Sequence, residues 1–538
     1  MPSIEISKRD LADITGKQFS EKELEKLFIQ IKCDPHFESD LIKLDVADVN
    51  RPDLLSCEGI ARELKGIIGK EKGLPKISVE KSDYTVKVDP ELKNIRPVIA
   101  CAVVKNIKLN EEAIKQLIQL QEKLCENFGR GRKEAALGIY DFDKISWPVS
   151  YKAIKPDEIK FIPLDSSELL TPAEILRKHE KGIAYGPLLQ GFKKYPLLID
   201  NKKEVLSMPP IINSNSTGKV TEKTRNLFVE VTGFSLRFII PVLNIMIAAL
   251  VERGGKIYSV KIPDEKLTTP DFNPKNITLD FDYCNRILGT NFKPAEIVSL
   301  LEKARYYGRI NGDKIEVSYL PYRQDIMDER DVIEDIALMY GYENLKPQEA
   351  EISTIGKVAE ITNLKDKIAY MLIGLRMQEV LTFTLTNKEN LTKKFVDKGE
   401  LIEIANPVSS NYQFVRNTLI PAMLEFISAN TKKEFPQKIF EIGECYDLKN
   451  RKTKTKLCVS ISGTGNFTEI RQIAEYILRS LNLKFEVKKS DNENFIEGRQ
   501  ASILVNNKEV GILGEISPKT LKNFGIETPT CVLEFDLN

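Results

Sequence analysis

Polar and apolar residues alternate at the start of the chain, and Ser3–Ser7 reads as a short strand. A helix is expected from Ser20, because Glu23 stands three residues on and completes a capping box. Residues 43–46 give another strand. Asn50-Arg51-Pro52-Asp53 then stops one element and starts the next. Pro52 suits a first helical turn, and Leu55, Ile60, Leu64 and Ile67 recur after it at roughly helical spacing. Residues 97–104 are continuously apolar and predict a buried strand. A long amphipathic helix is expected over 111–127 and a strand over 226–231. Residues 236–251 are the most apolar run. They contain Arg237, Pro241 and Asn244, so they predict a buried helix and not a membrane span. A strand over 256–262 follows.

Further on, Ile277, Leu279 and Phe281 alternate as a strand, and 294–306 reads as helix. Ile310-Asn311-Gly312-Asp313-Lys314 carries a hairpin turn signal, and Ile315, Val317 and Tyr319 continue the alternation. The last part predicts a helix over 360–376 and strands over 438–442, 458–462, 501–505 and 531–535. A chain of 538 residues exceeds one core. The pattern predicts an α+β, multidomain protein divided at 1–80, 81–265, 270–345 and 355–538.

Composition narrows the chemistry. Net charge is +1, so contact with nucleic acid must use local basic patches. Arg130-Gly131-Arg132-Lys133 with Lys123 is the best of these, read as a contact with an RNA backbone or as a solvated loop. Residues 449–456 read as a charged hairpin loop. Eight cysteines lie scattered with no Cys-x-x-Cys pair, which points away from zinc and disulfides and toward a cytoplasmic, reducing setting. Two histidines, His36 and His179, are too few to suggest histidine-based catalysis.

The segment 320–335 holds the candidate metal chemistry. Asp331, Glu334 and Asp335 stand at spacing i, i+3, i+4, within roughly a 100° arc of one helix, and Asp325 precedes them. Oxygen donors in that arrangement suit a hard divalent cation. Helix capping is the other reading, with Asp328 at the N-cap and acids in the first turn; Leu338 falls on the same arc.

Four segments carry a resemblance, in chain order. They are Asn50-Arg51-Pro52-Asp53-Leu54-Leu55-Ser56; Pro209-Pro210-Ile211-Ile212-Asn213-Ser214; Thr224-Arg225-Asn226-Leu227-Phe228 with Val231-Thr232-Gly233; and Tyr322-Arg323-Gln324-Asp325 through Glu334-Asp335, with Tyr340-Gly341-Tyr342 beyond. Together they resemble the beta-subunit family of phenylalanyl-tRNA synthetase in its archaeal and eukaryotic cytosolic form.

The resemblance implies a small mixed N-terminal domain, an α/β editing domain that binds tRNA, and a small winged-helix-like metal-binding domain. A class II synthetase-like antiparallel sheet module comes last. It implies an alpha subunit as partner in an α2β2 heterotetramer, tRNA(Phe) as substrate, ATP used by the complex, and no membrane. Mg2+, shared with the alpha subunit, is carried onto Asp325, Asp331, Glu334 and Asp335.

Synthesis is placed in the alpha chain, so no catalytic residue for synthesis is expected here. The chain contains no Gly-x-Gly-x-Gly-x-x-Arg segment; Gly511-Ile512-Leu513-Gly514-Glu515 comes nearest and lacks the arginine. Arg416 is read as an ion pair at the subunit interface. Hydrolysis of mischarged Tyr-tRNA is implied, with Asn213, Ser214, Asn226, Glu230, Thr232 and Ser235 as candidates. Two departures bear on it. Relatives often have Thr-Asp after Val-Thr-Gly where this chain has Phe234-Ser235, and Gly-Ile-His-Asp where it has Gly138-Ile139-Tyr140-Asp141. Ser235 either replaces a tyrosine-reading aspartate or caps the following helix. The competing readings are a structural, tRNA-binding subunit with decayed editing and a free-standing hydrolase of mischarged tRNA.

Overall fold

The computed structural model describes residues 1–347, 349, 354–397 and 399–537. The chain divides into two compact units, 1–350 and 351–538.

In the first unit, Ser3–Ser7 pairs antiparallel with Leu41–Val46, which pairs on its other side with Cys33–Glu38. The Ser20 capping box forms as expected. At the Asn-Arg-Pro-Asp segment the start differs from the expectation. Pro52–Leu54 makes one short 3-10 turn, and the helix Cys57–Ile67 begins only after Ser56, whose Oγ accepts from the Gly59 amide at 3.1 Å. Gly59 allows that sharp entry, since a Cβ there would stand 1.7 Å from the Asp53 carbonyl oxygen.

A six-stranded sheet forms the centre of the unit. Its main path runs Leu267–Thr269, Lys256–Ile262, Val98–Lys105, Leu227–Gly233, Ala135–Asp141, and Val79–Glu80 also pairs with Lys256–Ile262. Val98–Lys105 is apolar up to Val104 because both of its faces are covered. Ala100, Ala102 and Val104 pack in one core with the helices Glu111–Lys123 and Leu236–Glu252. Ile99, Cys101 and Val103 pack against Tyr151, Leu198 and Leu206 of a second, five-stranded sheet. Leu236–Glu252 is the buried helix expected, with Pro241 inside it and the Asn244 amide donating to the Asp271 carbonyl. No helix among the described residues is long and apolar enough to cross a membrane.

A three-stranded sheet (Lys275–Asp280, Lys314–Tyr319, Tyr307–Asn311) follows, with the hairpin at Gly312 as expected. Phe281 is not part of the strand. Asp280 accepts from the Tyr283 amide at 2.9 Å and starts the helix Phe281–Leu288, so the alternation ends one residue early. The helix expected over 294–306 ends at Lys303.

The second unit is built on a seven-stranded sheet. Its order is Gln378–Glu379, Gln437–Asp447, Lys452–Ser462, Thr530–Asp536, Lys508–Ile516, Phe495–Val505, Phe485–Lys489, antiparallel except at the first pair. The strands expected from sequence are the apolar parts of these longer ones. The charged run 449–456 is mostly strand, not loop. Lys454 pairs with Asp447 at 3.0 Å and Asp536 at 2.8 Å, and Lys456 pairs with Glu534 at 2.8 Å, so charges on adjacent strands compensate one another. The ion pair expected of Arg416 is present. Arg416 is buried within its own unit, donating to Glu441 at 2.8 Å and to the Glu444 carbonyl at 2.9 Å.

Candidate functional site

Ala135–Asp141 is the edge strand of the six-stranded sheet, and its outer side is met by side chains instead of another strand. The Gln121 amide donates to the Leu137 carbonyl at 2.8 Å, and the Asn213 amide donates to the Ile139 carbonyl at 3.2 Å. A cavity of about 660 Å³ lies along this edge, bordered by the helix bearing Ile114, Leu117 and Gln121 and by the segment 209–213. Its wall is mainly apolar, with a few polar groups, as ligand sites commonly are.

Glu230 is the buried carboxylate of this wall, only 3% exposed. It lies on Leu227–Gly233, directly opposite Gly138. Its Oε1 accepts from the Tyr140 phenol at 2.9 Å, while its Oε2 has no partner. Burial pushes the Glu230 carboxyl up to about 7; the Tyr140 hydrogen bond and the Arg96 charge oppose that rise. Ser207 Oγ, from the second sheet, lies 2.8 Å from the same phenol oxygen.

The expected editing residues are not gathered in one place. Asn213 borders the cavity. Ser214 is buried and bonded to Ser216 Oγ at 2.7 Å. Asn226 clamps Asp143 with its amide at 2.9 and 3.0 Å. Thr232 receives the Arg96 guanidinium, Nε to Oγ1 at 2.9 Å. Ser235 is the N-cap of Leu236–Glu252, so of its two sequence readings the cap is the one the geometry bears out. The polar atoms of Ser214, Asn226, Thr232 and Ser235 have these partners within the chain, and the four residues do not line the cavity.

Sequence reasoning missed Ser207 and Gln121. It noted Tyr140 only as a departure from a histidine. Period-two alternation, which puts Phe228, Glu230 and Thr232 on one face, was the available signal.

Arg132 and His179 have partners within the chain. Arg132 donates to the Pro210 and Ile211 carbonyls at 3.2 and 2.9 Å and stacks on Tyr185, which secures the cavity wall. His179 accepts the Lys181 amide at Nδ1, so its Nε2 carries the proton that faces the Leu164 carbonyl.

The four candidate magnesium ligands do not form one donor set. Asp325 and Asp335 are buried, and both are held by Arg323: Nε to Asp325 Oδ1 at 2.9 Å and Nη2 to Asp335 Oδ2 at 2.7 Å. Burial would raise the Asp325 carboxyl, but Arg323 holds it at about 2. Asp331 Oδ2 accepts the amides of Met327 and Asp328, both at 2.8 Å, and so closes the capping box. Glu334 is exposed and pairs with Lys32.

Among the described residues no group of three or more histidine, cysteine or carboxylate side chains is disposed to hold a metal ion. In this chain the set does not fit magnesium, because arginine, lysine and helix amides already fill the positions beside the carboxylates. Two of the resembling motifs meet there instead. Arg51 of the first motif donates to Asp53 and Glu63 and stands 3.9 Å from Asp325 of the last.

Comparison with known proteins adds the lineage. Residues 347–537 match the family model described as phenylalanyl tRNA synthetase beta chain CLM domain, and residues 277–342 match the tRNA synthetase B5 domain. The chain is 40% identical to the phenylalanine–tRNA ligase beta subunit of Archaeoglobus fulgidus, over 91% of this chain and 90% of that one. A crystal structure of an N-terminal fragment of the phenylalanyl-tRNA synthetase beta subunit from Pyrococcus horikoshii is 47% identical. It covers 63% of this chain and 100% of the fragment, with a TM-score of 0.62. The corresponding subunit of Pyrococcus furiosus is 44% identical over 100% of this chain and 99% of its own length. Likeness of that depth along the whole sequence means that the chain belongs to the family of phenylalanine–tRNA ligase beta subunits.

Proposed function

We propose that the chain works with an alpha subunit, in an α2β2 assembly in the cytoplasm, in which the alpha chain attaches phenylalanine to tRNA(Phe) with ATP and Mg2+. This chain hydrolyses mischarged tyrosyl-tRNA in the cavity beside Ala135–Asp141. Residues 1–80 are then the N-terminal domain, 81–265 the editing domain, 270–345 the small winged-helix-like domain, and 355–538 a class II synthetase-like module without ATP motifs. One amendment is needed, since Val79–Glu80 already belongs to the sheet of the second span.

The observation that carries the editing reading is the unpartnered, buried Oε2 of Glu230 in the cavity wall. A buried acceptor without a donor is costly, and a ligand bringing a hydroxyl removes that cost. Tyrosine brings one and phenylalanine does not. The need for such a site follows from the synthetic step, because an apolar pocket rejects an added hydroxyl by only ~10²-fold. Gln121 and Asn213 each spend an amide N–H on the edge strand and keep a carbonyl oxygen able to accept from an attacking water. Lys178 and Lys219, exposed at the cavity border, suit the phosphates of the tRNA end.

The test uses the enzyme assembled with its alpha chain and measures loss of label from tyrosyl-tRNA and phenylalanyl-tRNA. Tyrosyl-tRNA is expected to be hydrolysed and phenylalanyl-tRNA spared. Survival of tyrosyl-tRNA at its spontaneous rate would favour the structural, tRNA-binding subunit with decayed editing. A separate measurement addresses the magnesium expectation for Asp325, Asp331, Glu334 and Asp335. Because arginine, lysine and helix amides already answer these carboxylates within the chain, EDTA is expected to leave the thermal unfolding of this chain unchanged, read by circular dichroism. A lowered unfolding temperature in EDTA would restore an ion to the site.

A further inference from the structure

Glu230 and Tyr140 come together through an empty position. Gly138 faces Glu230 across the strand pair, and Tyr140, two residues on, lies on the same face and reaches back over it. A Cβ at residue 138 would stand 2.4 Å from the Tyr140 phenol oxygen and 2.6 Å from Glu230 Oε1. The glycine therefore leaves the space in which the two meet. The Tyr140 ring is fully buried, packs against Phe228 with centroids 5.6 Å apart, and has Ser207 at its tip. The phenol proton goes to Glu230, and the phenol oxygen accepts from Ser207.

The last torsion of a glutamate is broad and fixes no orientation of its carboxylate plane. Among the described residues the Tyr140 phenol is the hydrogen-bond donor to that carboxylate. We propose that Tyr140 is the positioning residue of the cavity: by holding Oε1 it leaves Oε2 as the single acceptor for a phenolic hydroxyl on the substrate. This rests on the reading of the cavity as a tyrosyl-tRNA site and adds to it a residue that touches no substrate. It also gives the tyrosine that stands in place of the relatives' histidine a defined role in selectivity.

The groups that bear electrostatically on Glu230 are Arg96, Cys101 on the neighbouring strand, Cys125, Tyr140 and Tyr151. Tyr140 is the one that donates to it, and that bond favours the ionised form. Its loss must move the Glu230 titration upward.

The experiment uses the assembled enzyme with Tyr140→Phe, which keeps the ring and the packing. Tyrosyl-tRNA hydrolysis is followed from about pH 5 to pH 9. Expected is a roughly 10- to 100-fold loss in kcat/KM, with the rise in rate displaced to higher pH. In the Glu230→Gln background Tyr140→Phe should add nothing. Binding of the 3′-amide analogues of tyrosyl- and phenylalanyl-adenosine gives a second readout, in which Tyr140→Phe should erase the preference for the tyrosyl compound. An unchanged preference together with an unchanged pH profile would overturn the proposal. Failure of the unaltered enzyme to hydrolyse tyrosyl-tRNA or to prefer the tyrosyl analogue would instead overturn the reading of the cavity.

Discussion

Replacing Arg323 by methionine is expected to destabilise the first unit by about 3–5 kcal/mol. The guanidinium is buried and holds two buried carboxylates, Asp325 and Asp335. Methionine matches much of its volume but none of its charge, so both carboxylates remain in low dielectric without their cation, and among the described residues Asp335 keeps only the Tyr306 phenol as a donor. Arg51 is the nearest remaining cation, 3.9 Å from Asp325, and is already committed to Asp53 and Glu63. The effect must depend on pH. Arg323 lowers the Asp325 carboxyl from 3.8 to about 2, so its contribution is present above about pH 4 and is lost as pH falls toward 2. The variant is therefore furthest below the parent near neutrality, and the gap narrows in acid. Trp147 is the only tryptophan and lies in this unit, so urea unfolding followed by its fluorescence reads the right transition. A loss below about 1 kcal/mol at neutral pH, within the range of an exposed pair, would mean that the cluster is not the buried network described.

That cluster shows where a sequence stops being readable. The Ser20–Glu23 and Asp328–Asp331 capping boxes join residues three positions apart and follow from local spacing. The hairpin at Gly312 and the apolar strand Val98–Lys105 are legible for the same reason. Errors of one to four residues arose where a short-range competitor ended the pattern, as Asp280 did for Phe281 and Ser56 for Pro52. The acidic spacing at 331, 334 and 335 was read correctly as helical, yet it could not reveal who answers each charge. Glu334 meets Lys32 from 302 residues away. Asp325 has Arg323 as a close neighbour in sequence, and no rule of spacing says that this arginine turns inward. The cavity has the same character. Tyr140 and Glu230 are 90 residues apart and Tyr140 and Ser207 are 67 apart, joined only by sheet register and sheet packing. Of the residues on the resembling motifs, Asn213 borders the cavity, whereas Ser214, Asn226, Thr232 and Ser235 have hydrogen-bond partners elsewhere in the chain.

Replacing Glu230 by glutamine is expected to cost tyrosyl-tRNA hydrolysis roughly 10- to 100-fold while raising the stability of the fold above neutral pH. Both effects have one cause. The carboxylate is buried beside one donor, with its second oxygen unpartnered, and burial lifts its carboxyl from 4.5 to about 7. The native state thus holds a proton that the unfolded chain releases near pH 4.5. Native stability consequently falls as pH rises from there through about 7, by roughly 3 kcal/mol in total. Glutamine carries no such proton, so the variant should lack this slope. Activity runs the other way. A phenolic hydroxyl donates best to the ionised carboxylate, so hydrolysis in the parent enzyme should rise through about pH 7 and level off above it. The variant should be slow and flat over that interval. Measuring unfolding and tyrosyl-tRNA hydrolysis on the same preparations at pH 6 and pH 8 separates the two consequences. A variant that retained the parent's activity profile would remove Glu230 from the chemistry. A parent whose stability did not fall over that range would show the carboxylate to be solvated, and a solvated carboxylate has no unmet acceptor with which to tell tyrosine from phenylalanine.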